Sequence, residues 1–139
     1  MALLTAQAWF DGSASPTNPG PAIAGAYVEV EGRKPVRLHR HLGVQTNNVS
    51  EWEALILALE HCIREGVNVL MVRGDSKLVV NQANGSWKVE HPNMKPLKAK
   101  VDALLEKFGA VSFEWIPREE NTEADAASRG IRSTHSPRL

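Results

Sequence analysis

Two periodicities and a set of turn residues divide the chain into alternating elements. Residues 36–42 alternate apolar and polar side chains, as in a half-exposed strand, whereas residues 67–72 form a nearly continuous apolar run, as in a strand buried on both faces. Between them, apolar residues recur at helical spacing from Leu55 to Ile63, and Gly66 follows where that helix should end. The loop at 15–21 holds three prolines, which exclude a helix there. The whole pattern predicts strands at 5–11, 22–30, 36–42, 67–72 and 111–116, and helices at about 51–65, 77–84, 97–108 and 123–129.

The order of these elements, β-β-β-α-β-α-α-β-α, predicts an α/β fold. Three consecutive strands with short connections form an antiparallel meander, and the helical crossovers that follow add parallel strands. We therefore expect a mixed five-stranded sheet with helices on both faces. The pattern fits one domain over residues 1–130, followed by a polar tail at residues 131–139.

Composition excludes some classes of protein. The 139 residues are 42% apolar and 23% charged, which is ordinary for a globular domain. Sixteen basic residues balance sixteen acidic ones, so binding to nucleic acid would need local basic patches. The single cysteine, Cys62, excludes an intrachain disulfide and a cysteine-based zinc site. No apolar run reaches the ~20 residues of a bilayer span, and the N-terminus does not resemble a signal peptide. We expect a cytoplasmic protein without membrane contact, and a monomer with no implied protein partner.

Aspartates stand where two predicted strands end. Asp11 and Asp75 each follow an apolar strand and precede a small residue, and Asp125 lies in the first turns of the last, alanine-rich helix. Small neighbours let that helix lie close to the sheet, which would direct the Asp125 carboxylate inward. Asp102, on an exposed helix face, is assigned no role.

The glutamates of the first helix separate by helical phase. Glu51 shares a face with the apolar stripe that must meet the sheet, where a carboxylate is costly unless a cation compensates it. Glu53 and Glu60 share a largely solvent-facing side, and we interpret them as surface charges.

Asp11, Glu51, Asp75 and Asp125 could thus converge at one edge of the sheet. Four carboxylates without histidine or cysteine suit Mg²⁺ or Mn²⁺ rather than zinc. Two such ions about 4 Å apart can activate water and stabilise a leaving oxygen in phosphodiester hydrolysis. Taken singly, each aspartate could equally be a turn or cap residue.

Four motifs resemble those of the ribonuclease H type 1 family, in the family's order and spacing over roughly residues 7–130. They are Asp11-Gly12-Ser13, Asn47-Asn48-Val49-Ser50-Glu51, Gly74-Asp75-Ser76 and Asn121-Thr122-Glu123-Ala124-Asp125, joined by the Asn18-Pro19-Gly20-Pro21 loop. The resemblance implies a ribonuclease H-like fold and an endonuclease that cuts the RNA strand of RNA–DNA hybrids, leaving 5′-phosphate and 3′-hydroxyl ends. The alternatives are a non-catalytic hybrid-binding module on the same fold and a related nuclease acting on DNA.

The same resemblance implies residue roles. The four carboxylates Asp11, Glu51, Asp75 and Asp125 match catalytic ligands of two Mg²⁺ ions, with Mn²⁺ as a possible substitute. Further residues match contacts to the hybrid: Asn47, Asn48 and Gln82 in the minor groove, the backbone of Gly12, Ser13 and Ala14 along the RNA 2′-hydroxyls, and Asn18 and Thr46 around a DNA phosphate. Such contacts would read shape and the 2′-hydroxyl, so cleavage would be largely independent of sequence. Asn47 and Asn48 could instead only cap the helix, and Gln82 could be a surface residue.

Two departures from the family pattern stand out. Many members carry a basic helix and loop where this chain has only residues 85–95, so it resembles the compact bacterial and archaeal members without that protrusion. The residues that could partly replace it are Trp87, Lys88, Lys95, Lys98 and Lys100. It is equally open that the tryptophan is packed and the lysines are only solvated. Without the protrusion, substrate binding would be weaker and more sensitive to salt. Many members also place a histidine before the last carboxylate. Here the loop at 116–121 has none, and Arg118 or Glu119 could serve instead.

Overall fold

A five-stranded mixed sheet forms the centre of the computed structural model, which describes residues 3–130; the expected tail at 131–139 lies outside the described residues. The strands are β1 (Thr5–Ala14), β2 (Gly20–Val30), β3 (Val36–Gln45), β4 (Val69–Gly74) and β5 (Ala110–Trp115). Their order in the sheet is β3-β2-β1-β4-β5. The first three strands are antiparallel, while β4 and β5 run parallel to β1, so the predicted meander and crossovers are confirmed.

Helices pack on both faces of this sheet. They are α1 (Asn47–Arg64), α2 (Lys77–Ala83), α3 (Lys95–Leu105) and α4 (Thr122–Ser128). A Cβ added at Gly12 would meet the backbone of α1, whereas one added at Gly25 would meet the backbone of α4. Gly25 pairs directly with Asp11, the residue before Gly12, and neighbouring residues of a strand point to opposite faces. Therefore α1 and α4 lie on opposite faces, and the expectation of helices on both faces is confirmed.

The interface between α1 and the two central strands is rich in small side chains. Fully buried alanines lie on both sides of it: Ala8, Ala24 and Ala26 on the strands, and Ala54 and Ala58 on the helix. Larger core residues, such as Trp52, Leu55 and Leu59, are also fully buried. The helix can therefore approach the sheet closely near its N-terminus.

Two elements near the predicted site differ from the sequence expectation. β1 continues past Asp11 because its pairing with β2 extends to Ala14. α1 begins at Asn47, four residues before the expected start, because the Thr46 hydroxyl oxygen caps it by accepting a hydrogen bond from Val49 N. Glu51 consequently lies in the second turn of α1 rather than at its start.

Candidate active site

Two of the aspartates leave adjacent parallel strands at the same edge of the sheet. The pairing of β1 with β4 ends at Phe10 and Gly74, and Asp11 and Asp75 are the next residue of each strand. The two carboxylates are therefore brought together by strand register. The sequence pattern, a carboxylate directly after an apolar strand, was sufficient to identify both.

Glu51 reaches this edge from α1, which packs on one face of the sheet. A Cβ at Gly12 would lie 2.2 Å from the carbonyl carbon of Ser50, so only glycine allows α1 to lie this close to β1. The amide N–H of Gly12 donates a 2.8 Å hydrogen bond to Glu51 Oε1. This contact fixes the carboxylate beside the two aspartates.

The three carboxylates form one compact cluster. One oxygen each of Asp11, Glu51 and Asp75 lies within 4.8 Å of the others. Asp11 is buried, with 5% of its surface exposed. Burial, and then the charge of Asp75, raise the pKa of Asp11 to about 7. Burial, with the charges of Asp11 and Asp75, raises the pKa of Glu51 well above its usual range. Buried carboxylates that repel one another in this way need a cation to remain charged.

Asp125 lines the same cavity but stands apart from the three-carboxylate cluster. One of its oxygens accepts a 2.9 Å hydrogen bond from Arg129, the residue directly after α4. Its charge contributes to the raised pKa of Asp11, which shows that the two groups are close in space. The role of Asp125 as a metal ligand stays a prediction.

An open cavity of about 410 Å³ surrounds the cluster. Besides the acids, its walls include Gly12, Ser13, Ala14, Asn47, Arg118 and Arg129. The charge of Arg118 lowers the pKa of both Asp11 and Glu51, so this guanidinium faces the acidic centre. Glu119 is exposed on the same short turn.

Three residues that sequence reasoning left without a role contact the aspartates. Asn121 Nδ2 lies 2.9 Å from Asp75 Oδ2, and Ser128 Oγ lies 2.9 Å from Asp11 Oδ2. The indole N–H of Trp115 donates to the carbonyl of Asp75 at 3.0 Å. Asn121 could have been found from its place in the last motif; Ser128 and Trp115 carry no signal in the sequence.

Hydrogen bonds of Asn18 and Asn47 join three segments beside the cavity, next to Thr46. Asn18 Oδ1 accepts from Asn47 N at 3.0 Å, and Asn47 Oδ1 accepts from Ala14 N at 2.8 Å. Of the two asparagines that could have capped α1, neither does so, since Thr46 holds that position; Asn48 is exposed. Their contacts with a nucleic acid stay predictions.

The loop at 85–95 is supported from beneath by Gln82. This side chain is 7% exposed, so the surface alternative is wrong, and its Nε2 donates to the carbonyl of Lys88 at 3.1 Å. The side chain of Gln82 therefore holds the loop, and its direct contact with a hybrid stays a prediction. Trp87, at the tip, is 48% exposed, so the packed alternative is also wrong.

Two of the five residues expected to replace the basic protrusion are already engaged by acids. Lys98 pairs with Asp102 at 2.6 Å, and Lys100 lies 3.7 Å from Glu60. Glu60 also pairs with Arg40 at 3.2 Å, so it bridges β3 and α3 rather than standing as an isolated surface charge.

The donor set fits a hard divalent cation. It consists of carboxylate oxygens without nitrogen or sulfur, the ligands that Mg²⁺ and Mn²⁺ prefer. The pKa values of Asp11 and Glu51 are raised because these carboxylates are buried beside other acids without a counter-charge. Among residues 3–130, no other group of acids, histidines or cysteines comes together in this way.

The fold and the site define an α/β protein with an acidic, cation-binding centre at one edge of a mixed sheet. A family model described as reverse transcriptase-like matches residues 10–130. A crystal structure of RNase H1 from Halobacterium salinarum superposes with a TM-score of 0.84 at 34% identity, covering 90% of this chain and 95% of that one. The chain belongs to the ribonuclease H type 1 family.

Other relatives extend this picture. LC11-RNase H1, whose structure was solved in complex with an RNA/DNA hybrid, superposes with a TM-score of 0.82 at 34% identity, covering 91% of this chain and 96% of that one. A bifunctional protein of Mycobacterium tuberculosis is 41% identical over 110 residues, which is 78% of this chain but 30% of that protein. Ribonuclease HI of Halobacterium salinarum is 38% identical over 120 residues, covering 86% of this chain and 60% of that protein. The chain thus spans only 30% and 60% of the length of these two curated relatives.

Proposed function

We propose that this protein is an endonuclease that hydrolyses the RNA strand of RNA–DNA hybrids, with Mg²⁺ ions held by Asp11, Glu51, Asp75 and Asp125. The cluster of one buried and two partly buried carboxylates at the rim of a ribonuclease H fold carries this proposal. The hybrid bound to LC11-RNase H1, a structural relative at 34% identity, supports the choice of substrate.

The bound ions, two in this proposal and replaceable by Mn²⁺, would activate a water and stabilise the leaving oxygen. The water oxygen forms a bond to phosphorus while the bond from phosphorus to the 3′-oxygen breaks. The 3′-oxygen takes up a proton, so the products carry 3′-hydroxyl and 5′-phosphate ends. Glu51, held by the Gly12 amide, and the two aspartates provide charged ligands in fixed positions.

Selection of the RNA strand falls to the backbone beside the acids. Gly12, Ser13 and Ala14 border the cavity, where they would lie along the RNA and meet its 2′-hydroxyls. Asn18 and Thr46 flank the start of α1, where a DNA phosphate would be held. Trp87 and Lys88 are exposed on the 85–95 loop and would contact the DNA strand.

Lys98 and Lys100, beside the 85–95 loop, are already paired with acids, so we propose that hybrid binding is weak. No helix of residues 3–130 has the length and apolarity to cross a bilayer. We propose a monomer that acts in the cytoplasm, a state that sedimentation of the purified protein would check.

Cleavage of end-labelled substrates tests the function. The RNA–DNA hybrid, single-stranded RNA, RNA duplex and DNA duplex are each incubated with Mg²⁺, Mn²⁺ or EDTA. Asp75→Asn is compared with Asp102→Asn, which removes an exposed carboxylate that pairs only with Lys98. We expect metal-dependent cutting of the hybrid's RNA strand alone, lost in Asp75→Asn and retained in Asp102→Asn.

Other outcomes would overturn the proposal. Binding of the hybrid without cleavage in either metal would mean a non-catalytic hybrid-binding module. Cleavage of the DNA duplex would mean a nuclease with a different substrate. Phosphatase sensitivity of the newly formed 5′ end checks the product chemistry independently.

A further inference from the structure

Helix α4 touches the acidic cluster at both of its ends. Ser128, its last residue, is fully buried, and its Oγ lies 2.9 Å from Asp11 Oδ2 and 2.8 Å from the carbonyl oxygen of Asp125. The hydroxyl has one proton for two acceptors, and a charged carboxylate is the stronger acceptor of the two. The hydrogen bond from Ser128 also lowers the pKa of Asp11 against the effect of burial.

Asn121, directly before α4, holds the second aspartate. It is 1% exposed, and its Nδ2 donates both to Asp75 Oδ2 and to the carbonyl of Phe10, each at 2.9 Å. Its Oδ1 has no partner among the described residues. The opposite orientation of the amide would point an oxygen at two acceptors, so the two donor contacts fix the side chain. One amide thus joins β1, at the residue where its pairing with β4 ends, to the carboxylate that follows β4.

Gly25 makes the contact of Ser128 possible. It is the direct partner of Asp11 across β1 and β2, and a Cβ there would lie 2.2 Å from Ser128 N. The helix backbone therefore lies directly on the sheet beside Asp11. A hydroxyl on a short side chain can reach the carboxylate only at such an approach.

We propose that α4 positions the acidic cluster: Ser128 and Asn121 are positioning residues that hold the carboxylates of Asp11 and Asp75 in the orientation that binds the divalent cation. This inference rests on the proposed function in that the cavity binds such a cation. Hydrogen-bond partners behind metal ligands are typically worth 10- to 100-fold in metal affinity. The helix thus acts through the aspartates as well as through its own Asp125.

Calorimetric binding of Mn²⁺, with no nucleic acid present, tests this directly. Ser128→Ala removes the hydroxyl and suits a helix, and Asn121→Ala removes the amide donor without adding a charge beside the acids. Ser50→Ala is the matched control, because Ser50 is equally buried and its hydroxyl donates at 2.8 Å to Thr46 O rather than to a carboxylate. Each variant's fold is checked by near-UV circular dichroism and by its unfolding midpoint.

We expect Mn²⁺ binding to weaken about 10-fold or more in Ser128→Ala and Asn121→Ala, and by less than twofold in Ser50→Ala. In activity assays, the Mg²⁺ concentration for half-maximal cleavage should rise, while the KM for the hybrid stays the same. A folded Ser128→Ala that binds Mn²⁺ as the wild type does would overturn the inference, as would an equal loss in Ser50→Ala. If Asn121→Ala does not fold, Ser128→Ala decides. A wild type that binds no Mn²⁺ at all would instead refute the proposed metal-dependent function.

Discussion

Asp11→Asn should stabilise the metal-free protein while it removes activity. Burial and neighbouring charge raise the pKa of Asp11 from 3.8 to about 7. Between those two values the unfolded chain releases the proton while the folded protein keeps it, so folding stability falls as pH rises from about 4 to about 7. Above pH 7 the full cost of the buried charge is present, and a rise of this size corresponds to about 4 kcal/mol.

The asparagine removes this charge and keeps the size of the side chain. Its Oδ1 can still accept from Ser128, but the hydrogen bond becomes weaker without the charge. We therefore expect the free energy of unfolding at pH 8 to increase by about 2–4 kcal/mol, which is about 6–12 °C in unfolding midpoint for a domain of this size.

Urea unfolding in EDTA at several pH values between 5 and 8 measures the effect. The gain of Asp11→Asn over the wild type should grow with pH and level off above 7, while Asp102→Asn should show no gain. Addition of Mg²⁺ should stabilise the wild type and have much less effect on the variant. A gain that does not vary between pH 5 and 8, or no gain at pH 8, would refute the reasoning.

Three further substitutions separate stability from activity. Gly25→Ala places a Cβ against the backbone of α4, so we expect unfolding to become easier by about 2 kcal/mol or more and kcat to fall; unchanged values in urea unfolding and cleavage would contradict the close approach of that helix. Leu59→Ala empties a fully buried position and should cost about 2–5 kcal/mol, with kcat unchanged well below the unfolding midpoint. Trp87→Ala should raise the KM for the hybrid several-fold without altering the unfolding midpoint, and an unaltered KM would remove Trp87 from the binding surface.

The parts of the site that follow from local pattern were predictable from the sequence. Asp11 and Asp75 follow apolar strands, and parallel strands bring such ends to one edge of a sheet. Glu51 lies on the apolar stripe of α1, and helical phase alone separates it from Glu53. The element order predicted the meander because the connections between the first three strands are short, and it predicted the crossovers because helices separate the later strands.

Features that depend on distant contacts were not predictable. β1 continues past Asp11 only because β2 continues to pair with it, and α1 begins early because Thr46 supplies a cap. Ser128 meets Asp11 across a separation of 117 residues, and a serine in an alanine-rich helix gives no indication of this. Gln82 could not be assigned from its spacing, because its burial depends on the path of the 85–95 loop.

The small side chains between α1 and the central strands act as a spacer that sets the height of Glu51 above the sheet. An alanine has no rotatable side chain that could move aside for a larger neighbour. Any added methylene would therefore lift the helix and carry the carboxylate away from the Gly12 amide. We expect these alanine positions to tolerate smaller changes in side-chain volume than the positions of the large residues around Trp52. Insertions in the loops should be accepted as long as these alanines are unchanged.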